Sequence, residues 1–234
     1  KDMKKNTLIV GGSSGIGLAL AKDLSEDNQV FVASRSNDSL SGLSVTHIPY
    51  DVETDALDTS LLPDAINGLV YCPGTINLRP FKGLKPEVFE QDFSINVMGA
   101  IKTIQSLLPQ LQNGETMSSV VFYSTVAVQT GMPFHASVAA AKGALEGLSR
   151  SLAAEFAPKI RFNVIAPSLV DTPLAAKFLN NDAKKSNAAG RHPLQRVGNA
   201  TEIAALTKFL LSDHSSWMTA QTLTVDGGIG SIKS

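Results

Sequence analysis

This chain of 234 residues contains one cysteine, one tryptophan and three tyrosines. A lone Cys72 excludes an internal disulfide framework and fits a reducing compartment, so the expected location is cytoplasmic. Neither sign of charge dominates. With 20 Lys+Arg against 21 Asp+Glu, the net charge of −1 offers no overall attraction to nucleic acid or anionic lipid. No apolar run approaches the roughly 18–20 residues that a membrane helix needs. Leu8-Ile9-Val10, behind the charged stretch Lys1–Lys5, is too short for the apolar core of a signal peptide. Repeats and linkers are missing too, and glycine and proline are near average usage, which excludes collagen-like and low-complexity classes. What is present is 43% hydrophobic residues, enough to bury one core. A single domain over 1–234 is expected.

Strands alternate with helices along nearly the whole length. Thr7–Gly11, Gln29–Ala33, Val45–Pro49, Gly68–Cys72, Ser118–Thr125, Ile160–Ala166 and Thr222–Val225 are short apolar or β-branched runs, the pattern of buried strands. Between them, Gly15–Asp27, Pro86–Gln112 and His135–Ala157 carry helical spacing, and Asn199 with Glu202 has the spacing of a capping box. Pro167–Gly198 reads as irregular. Strict alternation of this kind predicts an α/β fold, a single-domain Rossmann-type doubly wound parallel sheet.

Where the first strand gives way to a helix, the chain reads Gly11-Gly12-Ser13-Ser14-Gly15-Ile16-Gly17. Glycines there close the turn and admit a pyrophosphate to the backbone, while the helix N-terminus offers free N–H groups to the anion. Gly11, Ser13, Ser14, Gly15, Ile16 and Gly17 are therefore cofactor-binding candidates. The same residues satisfy the G-x-S-x-G pattern of hydrolases, but only one strand precedes Ser13, which argues against that chemistry. After the second strand stand Ser34 and Arg35 and no carboxylate. A guanidinium there suits the 2′-phosphate of NADP(H), so NAD(H) is the less favoured cofactor.

With these motifs in view, the chain resembles the short-chain dehydrogenase/reductase family over nearly its full length. The resemblance rests on Gly11-x-x-x-Gly15-Ile16-Gly17, Asp51-Val52, Gly74, Asn96, the segment Asn163–Thr172, and Val225-Asp226-Gly227-Gly228. It implies that Asp51 and Val52 hold the adenine. It places Gly74, Pro167 and Thr172 on the nicotinamide side, and Asn96 behind a catalytic water. Ser168 stands where the family has glycine.

The catalytic segment departs from the family pattern. The family places a tyrosine four residues before its lysine and a serine thirteen residues before that tyrosine. Here Lys142 is present, but Val138 occupies the tyrosine position and Thr125 that of the serine. The lysine binds ribose and lowers the pKa of a neighbouring phenol, and the hydroxyl orients the substrate oxygen. A proton donor must come from elsewhere. His135, three residues before Val138, can face the same cleft; Tyr123 and Tyr71, at strand ends, are the other candidates, whereas Ser137 points elsewhere on the helix. His47, His192 and His214 show no metal-ligand spacing with one another or with Cys72, so no metal is expected.

Two functions are compatible with this pattern. One is an NADP(H)-dependent oxidoreductase acting on a small-molecule carbonyl or alcohol, with Asn96, Thr125, Lys142 and His135 as catalytic candidates. The other is a catalytically inactive NADP(H)-binding regulatory or assembly protein. In either case a homodimer or homotetramer is expected, without nucleic acid or membrane partners, and residues 167–198 are expected to form a substrate lid.

Overall fold

Apolar runs bounded by glycine and polar residues fold as strands, and the amphipathic stretches between them fold as crossover helices. The computed structural model describes residues 4–232. The extreme ends of the domain expected over 1–234 lie outside those residues. In chain order the main elements begin with β1 (Asn6–Val10), α1 (Gly15–Leu24), β2 (Gln29–Ser34), β3 (Val45–Pro49) and β4 (Gly68–Tyr71). Then come α2 (Pro86–Phe93), α3 (Gly99–Gln112), β5 (Ser118–Tyr123), the one-turn α4 (Ala127–Thr130) and α5 (Ala136–Phe156). The last third holds β6 (Ile160–Pro167), β7 (Val170–Asp171), α6 (Asp182–Gly190), β8 (Gly198–Asn199), α7 (Ala200–Leu211) and β9 (Thr222–Val225).

Seven strands pair in the order β3-β2-β1-β4-β5-β6-β9, every neighbour parallel. This is the α/β Rossmann-type doubly wound sheet that the alternation predicts. Successive side chains point to opposite faces, so each strand feeds two cores. Leu8, Val10, Leu69, Tyr71 and Phe122 pack beneath α3 and α5, while Ile9, Val70, Val121 and Tyr123 pack beneath α1 and α7. Between β1 and β4 the strand order reverses direction. A crevice opens there at the carboxyl ends of the strands, the place where open α/β sheets take ligands.

Two parts of the chain differ from expectation. The single helix expected over Pro86–Gln112 is interrupted by a π-helical turn, Ser94–Met98, between α2 and α3. Tyr71 accounts for it: its hydroxyl donates to the Ile95 carbonyl at 2.6 Å, taking up an acceptor inside the widened turn. Gly99 must be glycine, since a Cβ there would overlap the Tyr71 oxygen. Single π turns inside helices gather at functional sites, and this one carries Asn96. The segment Pro167–Gly198 is also more ordered than its composition suggests. It contains the β7–β8 pair, a 3₁₀ stretch over Pro173–Phe178 and α6, whose Asn181 side chain accepts from the Lys184 N–H. At the start of α7 the expected capping box is present, Asn199 and Glu202 each accepting from the other's backbone N–H.

Candidate active site

The glycine-rich turn is built by contact rather than by flexibility alone. Gly11 and Gly15 adopt positive φ of 77° and 52°, which an L side chain resists. A Cβ on Gly17 would lie 2.5 Å from the Gly11 carbonyl oxygen, so α1 can start against β1 only with glycine there. Gly17→Ala should therefore cost about 1–3 kcal/mol of stability, the usual range for overpacking, and abolish dinucleotide binding. Thermal unfolding together with a cofactor titration checks both.

At the sheet's switch point lies a cavity of about 870 Å³. Gly11, Ser13, Ser14, Gly15, Ile16 and Gly17 line one end of it, with Ser34 at the end of β2, Arg35 just after it, and Asp51 and Val52 beyond β3. Gly74, Thr125, His135, Val138, Lys142, Pro167 and Thr172 line the other end. Residues scattered over 160 positions of sequence thus meet in one crevice. Thr172 closes on the glycine turn, lying 3.4 Å from where a Gly15 Cβ would be. Arg35 is exposed and forms no ion pair among the described residues, so its guanidinium is available to an anion. The Ser34 hydroxyl instead donates to the Ser36 carbonyl and fixes the loop. Asn96 does not line the cavity. It is fully buried behind Gly74, whose Cβ would come within 3.2 Å of Asn96 Oδ1 and 3.1 Å of Lys142 Nζ.

The proton-donor candidates separate cleanly. Tyr71 is buried on the α3/α5 side with its hydroxyl committed to Ile95, and burial drives its pKa far up. The strand expected over Ser118–Thr125 ends at Tyr123, so strict alternation of faces does not carry on to Thr125. The Tyr123 hydroxyl pairs with Thr207 at 2.7 Å under α7, and burial raises its pKa as well. Both hydroxyls are committed to partners inside the protein, although Tyr123 also borders the cavity. Ser137 is buried and does not line the cavity, as its helical position implies.

His135 stands immediately before α5, without a capping bond from its side chain, and is half-buried at the cavity wall. Its Nδ1 lies 2.8 Å from the Pro133 carbonyl, which can only accept, so Nδ1 carries a proton and Nε2 is left for another partner. Phe134, just before it, takes a positive φ of 69°, uncommon for a bulky residue and a form of strain that gathers at functional sites. On α5, His135, Val138 and Lys142 follow at helical spacing and all face the cavity. Lys142 is buried, and burial lowers its pKa to about 8, with the neighbouring Cys72 and Asp92 side chains acting in the opposite direction. Thr125 Oγ1 accepts from the Ala127 N–H, while the neighbouring Ser124 hydroxyl is tied to Glu146 at 2.6 Å, leaving Thr125 the freer of the two. Cys72 packs as a small apolar group, its thiol pushed up to about 12 by burial.

Two groupings were not legible beforehand. Ser168 Oγ lies 2.8 Å from His192 Nε2, and His192 Nδ1 lies 2.8 Å from the Ala188 carbonyl. The carbonyl fixes the tautomer, so the serine hydroxyl donates to Nε2 and only its lone pairs remain for the cavity. The substitution at Ser168 was visible; its partner, 24 residues on, was not. The second grouping joins Asp92, Thr75, Asn77 and Asn96 behind Gly74. No cluster of three or more His, Cys, Asp or Glu able to hold a metal ion occurs among the described residues. Nor is any helix there long and apolar enough to cross a membrane.

Comparison with known proteins agrees with the geometry. A family profile described as enoyl-(acyl carrier protein) reductase matches residues 10–230. L-xylulose reductase of Bos taurus is 31% identical over 235 residues, covering 96% of this chain and 96% of that protein. A tropinone reductase homologue of Arabidopsis thaliana is 32% identical over 242 residues, covering 96% and 92%. Among solved structures, the Pseudomonas aeruginosa RhlG/NADP active-site complex superposes with a TM-score of 0.89 at 27% identity, covering 97% of this chain and 96% of that one.

Proposed function

The chain belongs to the short-chain dehydrogenase/reductase family, and from that premise we propose an NADP(H)-dependent oxidoreductase that interconverts a carbonyl and an alcohol through an atypical proton donor. The convergence of the glycine turn, Arg35, Thr125, His135 and Lys142 on one crevice carries this reading. The cradle fits a dinucleotide: glycines where a Cβ would block approach, an unpaired guanidinium at one end and an unpaired buried ammonium at the other.

In this reading the N-terminus of α1, with Gly11, Ser13, Ser14, Gly15, Ile16 and Gly17, holds the pyrophosphate. Arg35, on a loop held by the Ser34 hydroxyl, would read the 2′-phosphate, and Asp51 and Val52 would flank the adenine. Gly74, Pro167 and Thr172 border the nicotinamide, and Lys142 donates to its ribose. When bound, the nicotinamide supplies or takes up the hydride. Thr125 donates a hydrogen bond that orients the substrate oxygen. His135, protonated on both nitrogens, gives its Nε2 proton to that oxygen as carbonyl becomes alcohol, and takes it back in the reverse direction. Asn96 positions Lys142 from behind. The segment 167–198, carrying α6, covers the substrate end as a lid. We place the protein in the cytoplasm on the strength of its single cysteine, which has no disulfide partner in the chain.

The test is consumption of NADPH against ketones, aldehydes and quinones, followed at the absorbance of the reduced nicotinamide. A second reading, a nucleotide-binding protein without turnover, is favoured by Val138 alone. It takes precedence if NADPH binds but neither the wild type nor Val138→Tyr consumes it.

We expect the protein to be a symmetric homo-oligomer joined through α3 and α5. The outer face of α5 presents Gly147, with nothing within 4 Å of its Cβ position, so a second helix can approach closely. Light scattering should return two or four times the 24.7 kDa chain mass at micromolar concentration; a monomer alone counts against it.

A further inference from the structure

Behind Gly74 lies a buried polar group that the proposed chemistry does not use. Asp92, on α2, is 0% exposed, yet no cation among the described residues is bonded to it. Its Oδ1 accepts from Thr75 Oγ1 at 2.5 Å and from Asn77 Nδ2 at 2.7 Å. Asn96 Nδ2 in turn donates to Thr75 Oγ1 at 3.0 Å and to the Asp92 carbonyl at 2.7 Å. A carboxylate and a carbonyl can only accept, so every proton in this chain has a fixed direction, running from Asn96 through Thr75 to Asp92. That direction settles the Asn96 amide: its nitrogen faces Asp92 and its oxygen faces away. The outward Oδ1 has no partner, and neither has Asp92 Oδ2, although both are buried. On the far side, Asn96 Oδ1 and Lys142 Nζ lie within 3.2 Å and 3.1 Å of the same point above Gly74. An unpartnered acceptor and an ammonium without an ion pair thus flank one spot.

We propose that Asp92 is a positioning residue for the nicotinamide end of the pocket, being the buried counter-charge of Lys142 and, through Thr75, the anchor that turns the Asn96 carbonyl toward that ammonium. The inference rests on the role assigned above to Lys142 in holding the ribose. An isolated carboxylate in an apolar interior is costly unless bonded or paired, and Thr75 and Asn77 provide only part of what it needs. The remainder comes from the ammonium across Gly74. Of the titratable groups on the elements around Lys142, Cys72 beyond β4 and Asp92 on α2 act on it. Glu87 and Glu90 on α2 and Arg150 and Glu155 on α5 are exposed, and the others are Tyr71 on β4, Tyr123 on β5, Arg161 on β6, and His135 and Glu146 on α5 itself. Burial pushes the Cys72 thiol to about 12 and the Tyr123 phenol upward, so neither is charged near pH 8. Glu146 accepts from Ser124 and is not among the groups that act on Lys142, and His135 brings no negative charge. Asp92 is left as the anion that opposes the desolvation of Lys142.

The sign follows directly. Burial lowers the Lys142 pKa to about 8 and Asp92 raises it; removing the carboxylate lets burial act unopposed, so the ammonium is lost at lower pH. The experiment measures NADPH affinity by calorimetry from pH 6 to 10 in wild type, Asp92→Asn and Lys142→Met, with the Lys142 side-chain resonance titrated in parallel by NMR. Wild type should lose affinity with a midpoint near 8, and Asp92→Asn should move that midpoint and the resonance down by about one pH unit or more, as removal of a nearby opposite charge does. Asp92→Glu should restore part of the shift. If Asp92→Asn does not fold, Asp92→Ser, small and uncharged, gives the same comparison. An unmoved midpoint and resonance in the uncharged variant overturn the role of Asp92. Persistence of the alkaline loss in Lys142→Met, or its absence from wild type, overturns instead the role of Lys142 at the ribose, and the inference with it.

Discussion

His135→Ala should lower carbonyl reduction by about 10²–10⁴-fold, the contribution of a positioned acid, while NADPH affinity stays near wild type. The expectation follows from elimination by geometry. The three phenols near the sheet's carboxyl edge, Tyr50, Tyr71 and Tyr123, are all hydrogen-bonded inside the two cores, and Val138 has no proton to give. His135 is on the cavity wall with Nε2 uncommitted. Val138→Tyr should then restore activity on the His135→Ala background by about 10-fold or more. The new phenol would stand one helical turn before Lys142, whose positive charge lowers a neighbouring phenol's pKa. A ring fits, because Val138 faces a cavity of about 870 Å³ rather than the core alone. The readout is the rate of NADPH consumption for wild type, both single variants and the double variant. Unchanged turnover in His135→Ala would remove His135 from the mechanism.

The second large effect concerns the other end of the same crevice. Arg35→Ala should weaken NADPH by about 10- to 100-fold, the range expected for charge-assisted hydrogen bonds to a phosphate, and leave NADH within about twofold. Ala33 and Ser34 end a fully parallel, buried strand, so the loop that carries Arg35 is fixed in place. The Ser34 hydroxyl bond to Ser36 and the His47 contact to the Ser34 carbonyl fix it further. Arg35 itself is exposed, so the preference should shrink as salt rises. Arg35→Lys should recover only part of the loss, because an ammonium cannot make the bidentate pair. Calorimetry with both cofactors at two salt concentrations decides it; equal affinity of the wild type for NADPH and NADH would refute the NADP(H) assignment.

The fold class, the seven strands of the main sheet and the glycine-rich turn between β1 and α1 were legible in the residues alone. These depend on local rules. Period-two and helical patterning place Leu8, Val10 and Leu145 in the core, and glycine at 11, 15 and 17 is demanded by a turn that closes within seven residues. Absence was equally legible: Val138 cannot donate a proton in any fold. Which group takes over was not, because that depends on where a strand ends and what lies above it. Tyr123 was eliminated by Thr207 on a helix 84 residues away, and Tyr71 by a π turn that no periodicity in Pro86–Gln112 announces. Ser168 and His192, and Asp92 with Thr75, are likewise separated in the chain and meet only in three dimensions. Backbone geometry is written in neighbouring residues, whereas the partners of a buried polar atom are chosen by packing between distant elements, and only the tertiary structure decides them.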